Sequence, residues 1–208
     1  MSGAAPLVRD ASHVTVAVIG AAEATRELYQ AARWVGRLLA ASGAVVVTGG
    51  RGGVMEAASR GALAHGGITI GILPGDGPED SPANDYVLYP IYTGLGDARN
   101  AVIVRTAQSV IAIGGGFGTL SEIGLALKAN RPVILLESWE PHPSQPIAGM
   151  ELLLRRAENP REAVQLAIAA AGGRLPEPRS VPEAERRMDE SAPPSSEPAA
   201  SLTKQTLS

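Results

Sequence analysis

Cysteine is absent from the 208-residue chain, and histidine and aromatic residues are scarce. Without cysteine the protein has no disulfide, no thiolate nucleophile and no cysteine-bound zinc. The histidines, His13, His65 and His142, show no metal-ligand spacing, so we expect no metal site. Aromatic residues make up 3% of the chain, too few to favour the stacking platforms that bind single-stranded nucleic acid.

The chain also has no excess of positive charge, because its formal net charge is −3. Without a basic surface, a protein holds an anion locally, through backbone N–H groups or single arginines. We therefore expect no nucleic-acid partner. The apolar run after Arg9, residues 14–20, is short and fits a buried strand better than a secretion signal. No membrane association is expected, and the expected location is the cytoplasm.

From residue 14 onward, short runs rich in β-branched residues alternate with longer segments of helical periodicity. The short runs predict strands at 14–20, 44–48, 68–73, 86–92, 109–113, 132–136 and 151–155. The longer segments predict helices at 23–41, 53–64, 96–107, 119–129 and 160–171. Strands that are apolar at nearly every position indicate a parallel sheet covered on both faces, so the predicted fold class is α/β.

Composition sets the expected domain boundaries. The alternating pattern assigns residues 14–173 to one domain, preceded by a flexible N-terminus at 1–13. Six of the 16 prolines lie between 176 and 208, among serine, glutamate and arginine. Such a segment has too few apolar groups to offset the entropy lost on ordering, so 174–208 is predicted to be a disordered tail.

Two glycine-rich segments each follow a predicted strand: TGGRGGVME at 48–56 and GGGFGTLSE at 114–122. In an open parallel sheet, ligands bind beyond the carboxyl ends of the strands, where helix N-termini also point. Glycines there expose backbone N–H groups that attract phosphate, although glycines at such turns also occur for steric reasons alone. Neither segment has the Walker pattern, and VIGAAEA after the first strand lacks the dinucleotide fingerprint. The two loops together favour an anion site.

Glu122 and Arg99 each allow two interpretations. Thr119 and Glu122 have the T-x-x-E spacing of a capping box, in which the glutamate only caps its helix. That motif does not explain the glycine cluster before it, so Glu122 is alternatively a functional carboxylate. Arg99 is either a surface helix residue, paired with Asp97, or a ligand-binding arginine.

The segments TGG-x-GG-V-M-E, ARN and GGG-F-G-T-L-S-E, followed by RPVILL, resemble the LOG family of cytokinin riboside 5′-monophosphate phosphoribohydrolases. These enzymes are often mislabelled lysine decarboxylases. The resemblance extends from about residue 14 to about residue 171. It implies a Rossmann-like fold, a homodimer, and cleavage of a nucleoside monophosphate into free base and ribose 5-phosphate, with no cofactor.

Carried onto this chain, the motifs place the catalytic pair on Arg99 and Glu122 and imply a nucleoside monophosphate as the partner. The implied phosphate-binding residues are the loop glycines and one threonine, namely Gly49, Gly50, Gly52, Gly53, Gly115, Gly116, Gly118 and Thr119. A decarboxylase is disfavoured, because the only lysines are Lys128 and Lys204, neither of which fits a pyridoxal phosphate site.

Three positions depart from the family pattern: Asn100 replaces a lysine, Glu56 a glycine, and Gly114 the proline of PGG-x-GT-x-x-E. The chain is therefore more similar to the uncharacterised bacterial LOG-like branch, which also resembles molybdenum cofactor carrier proteins. The alternative to an enzyme is a non-catalytic carrier or sensor of a phosphorylated ligand, such as a nucleotide or a pterin cofactor.

Overall fold

The apolar runs of the sequence form a seven-stranded, entirely parallel sheet in the computed structural model, which describes residues 14–171. The strands lie in the order β4-β3-β2-β1-β5-β6-β7. Their bounds are β1 (Thr15–Gly20), β2 (Val45–Thr48), β3 (Thr69–Leu73), β4 (Tyr89–Tyr92), β5 (Ser109–Ile113), β6 (Val133–Leu136) and β7 (Leu154–Arg156).

Helices cover both faces of the sheet, as the Rossmann-like prediction requires. They are α1 (Arg26–Ala41), α2 (Val54–Leu63), α3 (Arg99–Thr106), α4 (Phe117–Lys128), α5 (Met150–Leu153) and α6 (Pro160–Ala170). One apolar core lies between the sheet and α1, α2 and α6, and the second lies between the opposite face and α3 and α4. The predicted α/β class and parallel sheet are confirmed.

Several predicted elements differ in extent from the observed ones, and three of them change in kind or lose much of their length. The helix predicted at 96–107 is a short 3₁₀ turn, Gly96–Ala98, followed by α3. The strand predicted at 86–92 shrinks to β4, an edge strand that tolerates Pro90 because a proline need not donate to a neighbouring strand there. The strand predicted at 151–155 was partly wrong, since helix α5 occupies its first residues and β7 begins at Leu154.

The terminal predictions lie outside the described residues. These are the flexible N-terminus at 1–13, the tail at 174–208 and the last two residues of the predicted domain. Among residues 14–171, no helix has both the length and the apolar character needed to cross a bilayer.

The strand order brings the two glycine-rich loops close together. The chain runs outward from β1 through β2 and β3 to β4, then returns to β5 on the other side of β1. Since β2 and β5 both flank β1, the loops that leave their carboxyl ends lie on either side of one central strand. This reversal point is where open parallel sheets form their ligand crevice.

Candidate functional site

Helix α4 begins three residues before the capping box would place it, since the box puts the N-cap at Thr119. Its N-cap is Gly116, which offers no side-chain cap, and Thr119 already lies inside the first turn. The capping-box interpretation is therefore wrong, because a cap must sit at the helix boundary. Thr119, Glu122, Ile123 and Ala126 instead form one buried stripe of α4, at the three- and four-residue spacing of a single helix face.

The end of the loop before α4 and the first turn of α4 contain consecutive backbone N–H groups that have no acceptor in the described part of the chain. Among residues 14–171, no acceptor is hydrogen-bonded to the backbone N–H groups of residues 115–119, and the next amide, of Leu120, donates to Gly116 O at 3.1 Å. Gly115 has φ +107°, and a Cβ at that position would collide with the Thr119 side chain. Consecutive free amides at a helix N-terminus form a concave site that attracts phosphate.

Glu122 places a carboxyl group in an apolar stripe. Its exposed fraction is 7%, and the side chain forms no hydrogen bond within the described part of the chain. Burial raises the pKa of Glu122 to about 7, although the positive charge of Arg99 opposes the shift. A carboxyl group that titrates near neutral pH can accept or donate a proton under physiological conditions.

Arg99 is the first residue of α3, and its guanidinium group reaches the other glycine loop. Nη1 packs directly against Gly49, where a Cβ would displace the ends of the Arg99 and Met55 side chains. The Nε atom is buried and has no partner in residues 14–171, an unpaired donor that costs folding free energy. Burial lowers the pKa of Arg99, and Glu122 partly offsets that effect.

Arg51 is a second arginine at this site, and the sequence analysis missed it. Its positive charge lowers the pKa of Arg99, which shows that the two guanidinium groups are electrostatically close. The available signal was its position in TGGRGG, where Arg51 is the only residue among the four glycines with a side chain that can contact a ligand. Arg51 is exposed, so its side chain can move toward an incoming anion.

The first glycine loop is held by protein contacts at its carbonyls and at one amide. The amide of Gly50 donates to Thr48 Oγ1 at 3.1 Å, and the amide of Val54, the first residue of α2, donates to Ala21 O at 2.9 Å. Asn84 contacts the loop from the β3–β4 connection, since its backbone N–H donates to Gly50 O and its Nδ2 donates to Arg51 O, both at 2.9 Å. Among residues 14–171, no acceptor is hydrogen-bonded to the amides of Gly49 and of residues 51–53, so this loop also offers donors to a ligand.

The three departures from the family pattern have structural explanations. Glu56 turns toward α1, where it accepts a hydrogen bond from the Tyr29 hydroxyl at 3.0 Å. Asn100 joins α3 to α4 through a weak contact of 3.5 Å with Ser121 Oγ. Gly114 has φ +55°, which the proline ring cannot adopt. The backbone after β5 therefore has a conformation that excludes the proline usual in the family.

Fold and site together define an α/β protein with a candidate anion site at the switch point of a parallel sheet. The model of the SLOG cluster4 family matches residues 13–164. The chain belongs to this LOG-like family.

Named relatives fall into two functional groups. A cytokinin riboside 5′-monophosphate phosphoribohydrolase of Mycobacterium marinum is 33% identical over 133 residues, which are 60% of this chain and 71% of that protein. The molybdenum cofactor binding protein of Rippkaea orientalis is 39% identical, with a TM-score of 0.65 over 76% of this chain and 96% of that one. The molybdenum cofactor carrier protein of Chlamydomonas reinhardtii is 33% identical, with a TM-score of 0.66 over 77% and 99%.

Proposed function

We propose that the two glycine loops bind the phosphate of a small ligand and that the protein is a nucleoside 5′-monophosphate phosphoribohydrolase. The supporting observation is Glu122, a buried carboxyl group with no hydrogen bond among residues 14–171 and a pKa near 7. Retaining such a group in an apolar stripe costs folding free energy, which is typical of a site built for proton transfer.

The phosphate of the nucleotide occupies the amides of residues 115–119, with Arg99 as its counter-charge. Both helix α4 and the arginine favour a negative group at this point, whereas an ionised Glu122 repels it. The ligand therefore lies with its phosphate on the loop and its ribose nearer the carboxylate. Anchoring the phosphate restricts the sugar to one orientation, which supplies part of the rate acceleration.

In the reaction, ionised Glu122 removes a proton from a water molecule that attacks the anomeric carbon of the ribose. The N-glycosidic bond breaks, its electron pair leaves with the base, and the base takes up a proton. The products are free base and ribose 5-phosphate. The transition state has a sugar with cationic character, which the carboxylate also stabilises.

Incubation with a panel of nucleoside 5′-monophosphates, followed by chromatography, tests this proposal. We expect release of free base from at least one nucleotide, with a kcat/KM that rises with pH through about 7, as Glu122 ionises. Glu122→Gln is expected to lower the rate by about 100-fold or more while still binding the nucleotide. Glu151→Gln is the matched control, since Glu151 is exposed on a different helix. A Glu122→Gln enzyme with the wild-type rate contradicts the assignment.

A second candidate function is a non-catalytic carrier of a phosphorylated pterin cofactor. It is favoured by the two molybdenum cofactor proteins that share this fold at 39% and 33% identity. It also agrees with Asn100, which supplies no positive charge where the phosphoribohydrolases usually have lysine. Saturable binding of the nucleotide panel or of the cofactor, without release of base, identifies the carrier.

A further inference from the structure

The segment that follows β6 contacts the second glycine loop, and the sequence analysis assigned it no role. It comprises Glu137, Ser138 and Trp139. Ser138 Oγ donates to Gly114 O at 2.6 Å. The Trp139 indole Nε1–H is shared between two carbonyl oxygens, at 2.9 Å from Gly115 O and 3.1 Å from Gly116 O. Three successive loop carbonyls are therefore held by two adjacent side chains.

Peptide planarity converts these carbonyl contacts into control of the amides. In a trans peptide, the C=O of one residue and the N–H of the next point in opposite directions. Fixing the carbonyls of residues 114–116 thus directs the N–H groups of residues 115–117 away from Ser138 and Trp139. Those N–H groups belong to the run that has no acceptor among the described residues.

The backbone of residues 114–116 has unusual conformational freedom, so contacts from outside the loop are needed to fix it. Glycine loses more backbone entropy on ordering than any other residue, and residues 114–116 are three glycines in succession. The Trp139 ring is itself held in place, since it packs on Phe117 with a centroid separation of 6.0 Å and an interplanar angle of 30°. A fixed indole supplies the rigidity that the glycines lack.

We propose that Ser138 and Trp139 are positioning residues that hold the amides of residues 115–117 in the orientation that binds the ligand's phosphate. The inference rests on the proposed phosphate site, but it concerns residues on the opposite side of the loop from that site. Neither side chain needs to touch the ligand. Preorganised donors avoid the entropic cost of ordering the loop on binding, so the brace acts on affinity.

Trp139→Phe is the decisive variant, because it keeps an aromatic ring beside Phe117 and removes only the indole donor. The control is Trp34→Phe, which changes the chain's other tryptophan, located on α1 beside Arg37. Ser138→Ala removes the remaining contact and gives an independent second test. The measurements are hydrogen exchange of the two bonded amides that border the loop, those of Gly114 and Leu120, calorimetric binding of AMP and inorganic phosphate, and thermal unfolding.

For Trp139→Phe we expect faster exchange confined to the amides of Gly114 and Leu120 and a Kd for the bound probe raised by about tenfold, with nearly unchanged thermal unfolding. Ser138→Ala should change both quantities in the same direction by a smaller factor. Trp34→Phe should leave both unchanged. Trp139→Phe keeps the aromatic ring and loses the indole N–H. If it still shows both changes, the hydrogen bonds orient the loop and the ring contact does not.

Two results distinguish the failure of this inference from the failure of the proposed function. If the wild-type protein binds AMP or phosphate and Trp139→Phe matches it in both exchange and affinity, the brace is refuted and the phosphate site stands. If the wild-type protein binds neither probe, the proposed site fails. In that case, faster loop exchange in Trp139→Phe still supports the brace, and unchanged exchange refutes it.

Discussion

The two glycine-rich loops have similar sequences and lie on either side of β1, yet they contribute different groups to the site. In the loop at 114–116, Ser138 and Trp139 bind all three carbonyls, and the amides of Gly115 and Gly116 have no acceptor among residues 14–171. In the loop at 48–53, the amide of Gly50 is bound within the protein, and so is the amide of Val54 that follows the loop. This loop contributes the space at Gly49 against which Arg99 packs, and the charge of Arg51.

This difference shows that glycine content alone does not identify an anion site. What matters is which half of each peptide group the surrounding protein already uses. Where neighbouring side chains bind the carbonyls of residues 114–116, the amides on the other side of the same peptide groups, those of residues 115–117, have no acceptor among the described residues. In the first loop the protein binds the Gly50 amide as well as two carbonyls, and Arg99 packs against Gly49.

The largest effect is expected from Gly115→Ala in the second loop. Gly115 has φ +107°, and a Cβ would collide with Thr119, so the loop must move and misplace its amides. We expect a loss of affinity for AMP of about 100-fold and a destabilisation of roughly 1–3 kcal/mol. Calorimetry and urea unfolding measure the two quantities.

Gly124→Ala is the matched control for that substitution. Gly124 lies in α4, the helix that follows the loop, has a negative φ and has open space where a Cβ would be placed. We expect unchanged affinity and equal or slightly greater stability, because alanine favours the helix. Equal losses of affinity in both variants would contradict the amide-binding role of the second loop.

An intermediate effect is expected from Arg51→Ala in the first loop. Arg51 is exposed and acts through charge, so its removal should weaken binding of AMP about threefold to tenfold, and less at high salt. Arg105→Ala is the control, since Arg105 is an exposed arginine in the last turn of α3, remote from the loops. Titrations at two ionic strengths check this prediction, which fails if Arg105→Ala has the same effect.

The smallest effect is expected from Asn84→Ala, the counterpart of the change at Trp139. The substitution removes the Nδ2 contact with Arg51 O and the Oδ1 that accepts from Tyr86 N–H at 3.1 Å, while the backbone N–H of residue 84 can still donate to Gly50 O. We expect a loss of about 1 kcal/mol in stability and a change in affinity of about twofold. Hydrogen exchange should accelerate at residues 48–54 and not at 114–119. Acceleration at both loops would show that they are coupled rather than separately braced.

Much of the site was predictable because it depends on short-range signals. The alternation of strands and helices predicts a parallel sheet, and the carboxyl ends of parallel strands lie at one edge. That reasoning placed both glycine loops at this edge. The motif resemblance singled out Arg99 and Glu122 as candidate site residues. In the structure, the charge of Arg99 affects the pKa of Glu122, so the two groups are close.

The errors have a common origin in contacts between distant residues. The capping box at Thr119 is a valid local pattern, but α4 begins earlier, at Phe117. Glu122 therefore lies on the buried face of the helix. Ser138 and Trp139 follow a different strand from the loop that they contact, so no periodicity connects them. Arg51 was overlooked because Arg99, whose pKa it lowers, is remote in sequence.

The sequence by itself determined the α/β class, the parallel sheet and the position of two glycine loops at its carboxyl edge. Apolar periodicity and glycine content act over a few residues, so they can be read without the fold. Only the tertiary structure decided which side chains bind the carbonyls of each loop, that Glu122 is buried, and that its pKa rises to about 7. Desolvation and hydrogen-bond partners depend on residues from separate strands, and folding alone brings these together.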